Sequence, residues 1–259
     1  MRTTTSRRSA QSPVPDMIAR AVEVFIHGFT FTRSFTHLYL AERIGPVWVM
    51  RDAPRTRGNY RTQEWVALDV APEEVDRIAR KHTRGRFAIC AVERAIEASE
   101  PLRAGFKELG YRLGRTEPLM VHHLSRIARA TSIARIERVM TQALADQLAK
   151  AARSRQMLPE HLAKQAPLRQ YIACIDDEIV GWVRSIVVGD ATWCSDMYVR
   201  PEYRRRGIAR AMLCRMLRDD RGSGATSAVL TASHTGAKLY AGVGYEQVGT
   251  VSVFTPIKR

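Results

Sequence analysis

The chain has 259 residues, 45% hydrophobic and 26% charged, which is the balance of a soluble globular protein able to bury one large core or two ordinary ones. No run of about 18 uncharged apolar residues occurs, which excludes a membrane-spanning helix. The formal net charge of +15, mostly arginine, is spread along the chain; it fits first a solvated surface, and then a phosphate-bearing cofactor, an acidic acceptor or nucleic acid.

Met1 to Pro15 carries three arginines, many Ser and Thr and no acid. It is expected to be a disordered basic tail, with a transit sequence as the rarer reading. A helix is expected over Met17–Val24. The alternating aromatics of His27 to His37 (Phe29, Phe31, Phe35) suit a strand with one buried aromatic face, an acceptor-site wall or base stacking. Strands follow at Pro46–Met50, Glu64–Leu68, Arg86–Val92 and Arg112–His122. Helices are expected from Pro72 to about Thr83, with Glu73, Glu74 and Asp76 in the first turns, and over Pro101–Leu109.

A second unit is expected to start near Arg126. It holds a strand at Ile133–Val139, helices at Ala143–Arg153 and Pro159–Gln165, and a hairpin turning at Asp176-Asp177-Glu178. A strand at Ala191–Val199 then leads into helix, strand, helix, strand. That order indicates an α/β (α+β) layer fold. The four cysteines (Cys90, Cys174, Cys194, Cys214) stand singly beside apolar runs, a pattern of buried thiols in a reducing cytoplasm that holds neither a metal nor a disulfide framework.

An internal repeat is legible. Phe106-x-x-Leu109-Gly110-Tyr111 matches Tyr240-x-x-Val243-Gly244-Tyr245, and Val70-Ala71-Pro72-Glu73 echoes Val199-Arg200-Pro201-Glu202. The two junctions recur in the same order, as in a duplicated unit.

The most informative stretch is Asp196-Met-Tyr-Val-Arg-Pro-Glu-Tyr-Arg-Arg-Arg-Gly-Ile-Ala-Arg-Ala-Met-Leu213. A strand ends at Val199, Pro201 breaks it, and a basic loop leads into a helix with an apolar stripe. A helix N-terminus leaves about four backbone N–H groups unpaired at the positive end of the dipole. With a loop before it, it makes an anion cradle. Gly207 admits a phosphate with no Cβ in the way, and Arg204, Arg205 and Arg206 add charge. A solvated basic loop would read the same way on physics alone.

Arg204-x-x-Gly207-x-Ala209, after a strand ending Tyr-Val-x-Pro-Glu-Tyr, resembles the coenzyme A signature of the GNAT N-acetyltransferase superfamily. Ser227–Ala232 and Ser233-x-x-Gly236-x-x-Leu239-Tyr240-x-x-x-Gly244-Tyr245 resemble that family's next strand–helix–strand unit. The resemblance implies a GNAT-like mixed twisted sheet flanked by helices, and with the repeat it implies a tandem of two GNAT-like units. Its divisions would be residues 16–125, a degenerate unit, and 126–259, the acetyl-CoA-binding domain.

It implies that Met197, Tyr198 and Val199 contact the pantetheine arm and that the pyrophosphate sits on the segment Arg204, Arg205, Arg206, Gly207, Ile208, Ala209. Ser233 would cap the following helix or touch the coenzyme, and Tyr240 would protonate the departing thiolate. Asp196, His234 or a relayed water would act as base. The implied cosubstrate is acetyl-CoA, with no metal, and the partner is an amine on a small molecule or protein. The chain is expected to be a cytoplasmic monomer or homodimer. The rival reading is an acyl-CoA-binding module without turnover whose basic surface binds nucleic acid. Phe106 stands where Tyr240 does in the repeat, and Glu73 and Glu74 stand where phosphates would go. The first unit is therefore expected to bind no coenzyme.

Overall fold

A computed structural model describes residues 16–257; the basic stretch Met1–Pro15 lies outside the described residues. Helix α1 spans Met17–Arg33 and is followed by strands β1 (Tyr39–Ile44), β2 (Val47–Asp52) and β3 (Gln63–Leu68), helix α2 (Pro72–His82) and β4 (Phe87–Glu93). Then come α3 (Glu100–Glu108), β5 (Tyr111–His122), β6 (Arg135–Arg138), α4 (Gln142–Ala152), β7 (Leu168–Ile175) and β8 (Glu178–Val188). The chain closes with β9 (Ala191–Val199), α5 (Ile208–Gly222), β10 (Ser227–Thr231), α6 (His234–Ala241) and β11 (Glu246–Pro256). Among the described residues no helix is long and apolar enough to cross a membrane.

Two local expectations need correction. Helix α1 does not stop at Val24 but runs on to Arg33, so Phe29 and Phe31 are helical and do not form a strand. The threonines there do not oppose the helix: Thr30 Oγ1 donates to the Ile26 carbonyl (3.0 Å) and Thr32 Oγ1 to that of Phe29 (2.9 Å). Phe25 and Phe29, one helical turn apart, bring their rings within 5.8 Å. The expected helix Pro159–Gln165 is one turn, Pro159–Leu162. Strand β1 had no expectation attached; it forms as the edge partner of β2.

The eleven strands of the described residues form one mixed sheet in the order β1-β2-β3-β4-β11-β5-β10-β9-β8-β7-β6. The two ends of the chain's repeat have traded places within it. Strand β11, last in the chain, lies antiparallel between β4 and β5; β5 in turn lies antiparallel between β11 and β10. Each half thus supplies the strand that completes the other's part of the sheet. The repeat itself is geometrically real: Phe106 meets Tyr111 edge to face at 5.7 Å, and Tyr240 meets Tyr245 at 5.7 Å in the same manner. Gly110 (φ 82°) and Gly244 (φ 105°) make equivalent left-handed turns between those rings.

The exchange is cemented by packing. Phe254 of β11 stacks on Phe106 at 4.4 Å, inside the smaller core that α2 and α3 form with β2–β4. The larger core joins α1, α5 and the remaining strands. Helix α1 lies across β8, β9 and β10 as well as β1, so the first element of the chain covers the second half's strands. Gly28 makes this possible, since a Cβ there would fall 2.3 Å from the Cβ of Trp193. At the far end of α5, Asp220 is fully buried and accepts hydrogen bonds from Arg169, Ser185 Oγ (2.8 Å) and Thr192 Oγ1 (3.0 Å). The four cysteines are free and buried.

Candidate active site

Strands β9 and β10 run parallel, but they pair only at their beginnings, Ala191–Trp193 against Ser227–Val229. Beyond that point they part. Strand β9 keeps its other partner, β8, across a bulge that places one extra residue between Ser195 and Tyr198. The bulge residue is Asp196, with φ of 55°, and it re-aims the strand as it leaves β10. The equivalent parallel pair of the first half, β3 and β4, is zipped over six residue pairs, Gln63–Leu68 to Phe87–Val92. Only the second half has an opening there.

That opening is a cavity of about 570 Å³. One bank is Met197, Tyr198 and Val199; the other is Thr231, Ala232 and Ser233, with Leu239 and Tyr240 of α6 beyond. At its head is the loop entering α5. Among the described residues, none of the backbone N–H groups of Arg205 to Arg210 has a hydrogen-bond partner in the protein. Arg205 (φ 60°) and Gly207 (φ 77°) both adopt left-handed backbone, and Gly207 serves as N-cap of α5 without any side chain to fill the cap. Six consecutive free amides at the positive end of a 15-residue helix suit a polyanion such as a pyrophosphate.

The three arginines part company. Arg204 turns back, donating from Nε to the Val199 carbonyl (2.9 Å) with its guanidinium over the Tyr198 ring (5.8 Å). It ties the loop to β9. Arg205 lines the cavity, while Arg206 lies outside its wall, over the ring of Tyr203 (5.6 Å). Ser233 caps α6, accepting from the Gly236 N–H (3.1 Å). Tyr203, Arg210 and Thr231, which sequence reasoning did not single out, complete the walls. Replacing Gly207 with valine should weaken binding of a pyrophosphate-bearing ligand by about tenfold or more, because a β-branched residue is strained at that φ. Calorimetric titration checks this; unchanged affinity would mean that the cradle is not the anchor.

A second chamber, about 620 Å³, lies on the sheet under α1 and meets the first at Thr231 and Tyr240, which line both. Phe25 and Phe29 of α1 and Trp193 of β9 form an aromatic wall, and the two halves share the rest. Three ion pairs face it: Arg33–Glu64, Arg115–Glu117 and Arg184–Asp196. Burial raises the Glu64 carboxyl above the usual range, and Tyr39 also bonds it. Tyr240 stands between the chambers. Burial pushes its phenol well above the ordinary tyrosine value, with the neighbouring Cys194 adding to the shift, so the group stays protonated. Asp196 therefore shares a chamber with Tyr240. His234 lies in neither wall, and its Nε2 is 2.8 Å from Thr116 Oγ1.

A splayed parallel pair running onto an amide cradle, in a mixed sheet flanked by helices, is an architecture suited to a long phosphate-bearing cofactor. Residues 167–247 match the family model described as an acetyltransferase (GNAT) domain. No curated protein matches the chain. A GCN5-related N-acetyltransferase from Kribbella flavida is similar over 95% of this chain and 98% of its own, with a TM-score of 0.68 at 16% identity. A GCN5-related N-acetyltransferase from Sphaerobacter thermophilus matches with a TM-score of 0.53 at 16% identity, covering 83% of this chain and 79% of its own. A tandem GNAT protein from the clavulanic acid biosynthesis pathway has a TM-score of 0.53 at 14% identity, over 82% and 80%. Residues 167–247 are thus similar to the GNAT acetyltransferase domain, and the fold of the chain, its N-terminal half included, is that of solved GNAT structures.

Proposed function

We propose that the protein is an acetyl-CoA-dependent N-acetyltransferase that moves an acetyl group directly to a primary amine within a ternary complex. The observation that carries this reading is the meeting of the two chambers at Tyr240. Residues 126–259 would carry the chemistry. Residues 16–125, whose parallel strands are closed and whose α2 presents Glu73 and Glu74 in its first turn, would bind no coenzyme and instead wall the acceptor chamber.

The amides of Arg205 to Ala209 and the side chain of Arg205 would hold the pyrophosphate, and Met197 to Val199 would offer sheet-like bonds to the pantetheine arm. Bound acetyl-CoA would supply the activated acyl group. Tyr240 would hold a proton ready for the leaving sulfur. Asp196, fixed by Arg184 at the bulge, would orient the acceptor from the β9 side. The three ion pairs leave the acceptor chamber with balanced formal charge, so a neutral or singly charged amine is favoured over a polycation.

Thermal stabilisation by acetyl-CoA, followed by thiol release across a panel of amines, tests the reading. Stabilisation of several degrees and release with at least one amine are expected. Stabilisation without release, together with salt-sensitive RNA binding, would overturn it in favour of a binding module.

A further inference from the structure

We infer that Glu117, carried on the exchanged strand β5, is the carboxylate that binds the acceptor amine and takes its proton. This rests on the acetyltransferase reading and goes beyond it, because it assigns a catalytic residue to the half of the chain that lacks a cofactor cleft.

The placement follows from register. Strand β5 lies directly beside β10, with Leu119 opposite Thr231 and the Pro118 carbonyl accepting from the Ala232 N–H at 3.0 Å. Opposed residues of an antiparallel pair share a face, and so do residues two apart on one strand. Glu117 therefore projects on the same face as Thr231, one strand spacing (about 4.8 Å) across and two residues along. Both line the acceptor chamber with Tyr240. Glu64, the other carboxylate from the first half, lies four strand spacings from β10, on the order of 19 Å, too far to share a proton with an amine at Tyr240.

The alternatives on the near side are committed elsewhere. Asp196 accepts from Arg184, a buried side chain that also bonds Gln156 Oε1 at 2.9 Å. His234 is outside the chamber. Among the described residues Glu117 has a single hydrogen-bonding partner, Arg115 at 2.6 Å, two residues along its own strand and mostly exposed. A pair whose cationic partner is this exposed is weak, so the Glu117 carboxylate on the chamber wall can exchange Arg115 for an ammonium. The thiols on the walls do not compete, since burial pushes Cys90 up to about 12 and Cys194 higher still.

The proton balance closes with these groups. The amine enters as an ammonium, and Glu117 accepts one proton, freeing the lone pair. The nitrogen forms its bond to the acetyl carbon as the carbon–sulfur bond breaks. Tyr240 gives its proton to the sulfur and recovers one from the nitrogen as the amide forms. Protonated Glu117 returns its proton to solvent past the exposed side of Arg115.

Calorimetric titration with 2-phenylethylamine, putrescine and alanine amide, alongside coenzyme A, tests the assignment. The wild-type chain is expected to bind at least one amine. Glu117→Gln should weaken that binding about tenfold or more and lower kcat about 10²-fold, leaving coenzyme A affinity within about twofold. Glu117→Asp should recover part of both losses. Wild-type amine binding and turnover in Glu117→Gln would overturn the role of Glu117 while leaving the acetyltransferase reading intact. Binding of no probe amine by the wild-type chain, or no thiol release from bound acetyl-CoA with any of them, would overturn both.

Discussion

Tyr240→Phe is expected to lower turnover by about 10² or more while acetyl-CoA binds as before. The phenol lies between the two chambers, and burial raises it well above the ordinary tyrosine value, so it is protonated at neutral pH. It is therefore a standing donor for a thiolate, whose conjugate acid has a pKa of about 8.5. Phenylalanine keeps the ring and its edge-to-face contact with Tyr245, so the core should not shift. The result to look for is a fall in kcat with an unchanged dissociation constant for acetyl-CoA. Full activity would remove Tyr240 from the chemistry; a matching loss of coenzyme affinity would show that the hydroxyl merely shapes the cavity.

Asp220→Ala is expected to cost about 3–5 kcal/mol of stability. The carboxylate is fully buried at the C-terminal end of α5, and its three partners come from three strands: Arg169 on β7, Ser185 on β8 and Thr192 on β9. Burial raises the Asp220 carboxyl, while Arg169 and the two hydroxyls pull it back. Removing it strands a guanidinium that has almost no access to water. A denaturant midpoint that falls steeply at unchanged m would report this loss. The paired change Arg169→Met with Asp220→Leu should recover much of it, since it removes both charges together. A loss below about 1 kcal/mol for the single variant would mean that water reaches Arg169.

Much of the fold was legible because local physics dominates at its junctions. Pro72 and Pro201 mark where strands end, Gly110 and Gly244 turn between paired rings, and Gly207 sits where only a residue at ease with positive φ can start α5. The cavity proposed for the coenzyme draws its walls from residues 197–210 and 231–240, two stretches close in the chain, so local reading could place them together. The acceptor chamber was not legible. Glu117 is separated from Tyr240 by more than a hundred residues, and nothing local to β5 says that it pairs with β10. One signal was present: Arg115 and Glu117 put alternating charges on one face of a strand otherwise headed for a core, and such a face must open onto water or a site. Helix α1 was misjudged beyond Val24 because alternating Phe and Thr mimic a strand's period. Tertiary packing on Trp193 overrode that weak local preference.

The reciprocal strand exchange has a consequence for synthesis on the ribosome. The slot between β4 and β5 stays open until residues 246–256 have been made, more than a hundred residues after β5. The first half must wait with two unpaired strand edges and the hole that Phe254 will fill. Only when β11 docks do both edges close at once, so the acceptor chamber, which needs β5 and β11 side by side, is assembled in that single step.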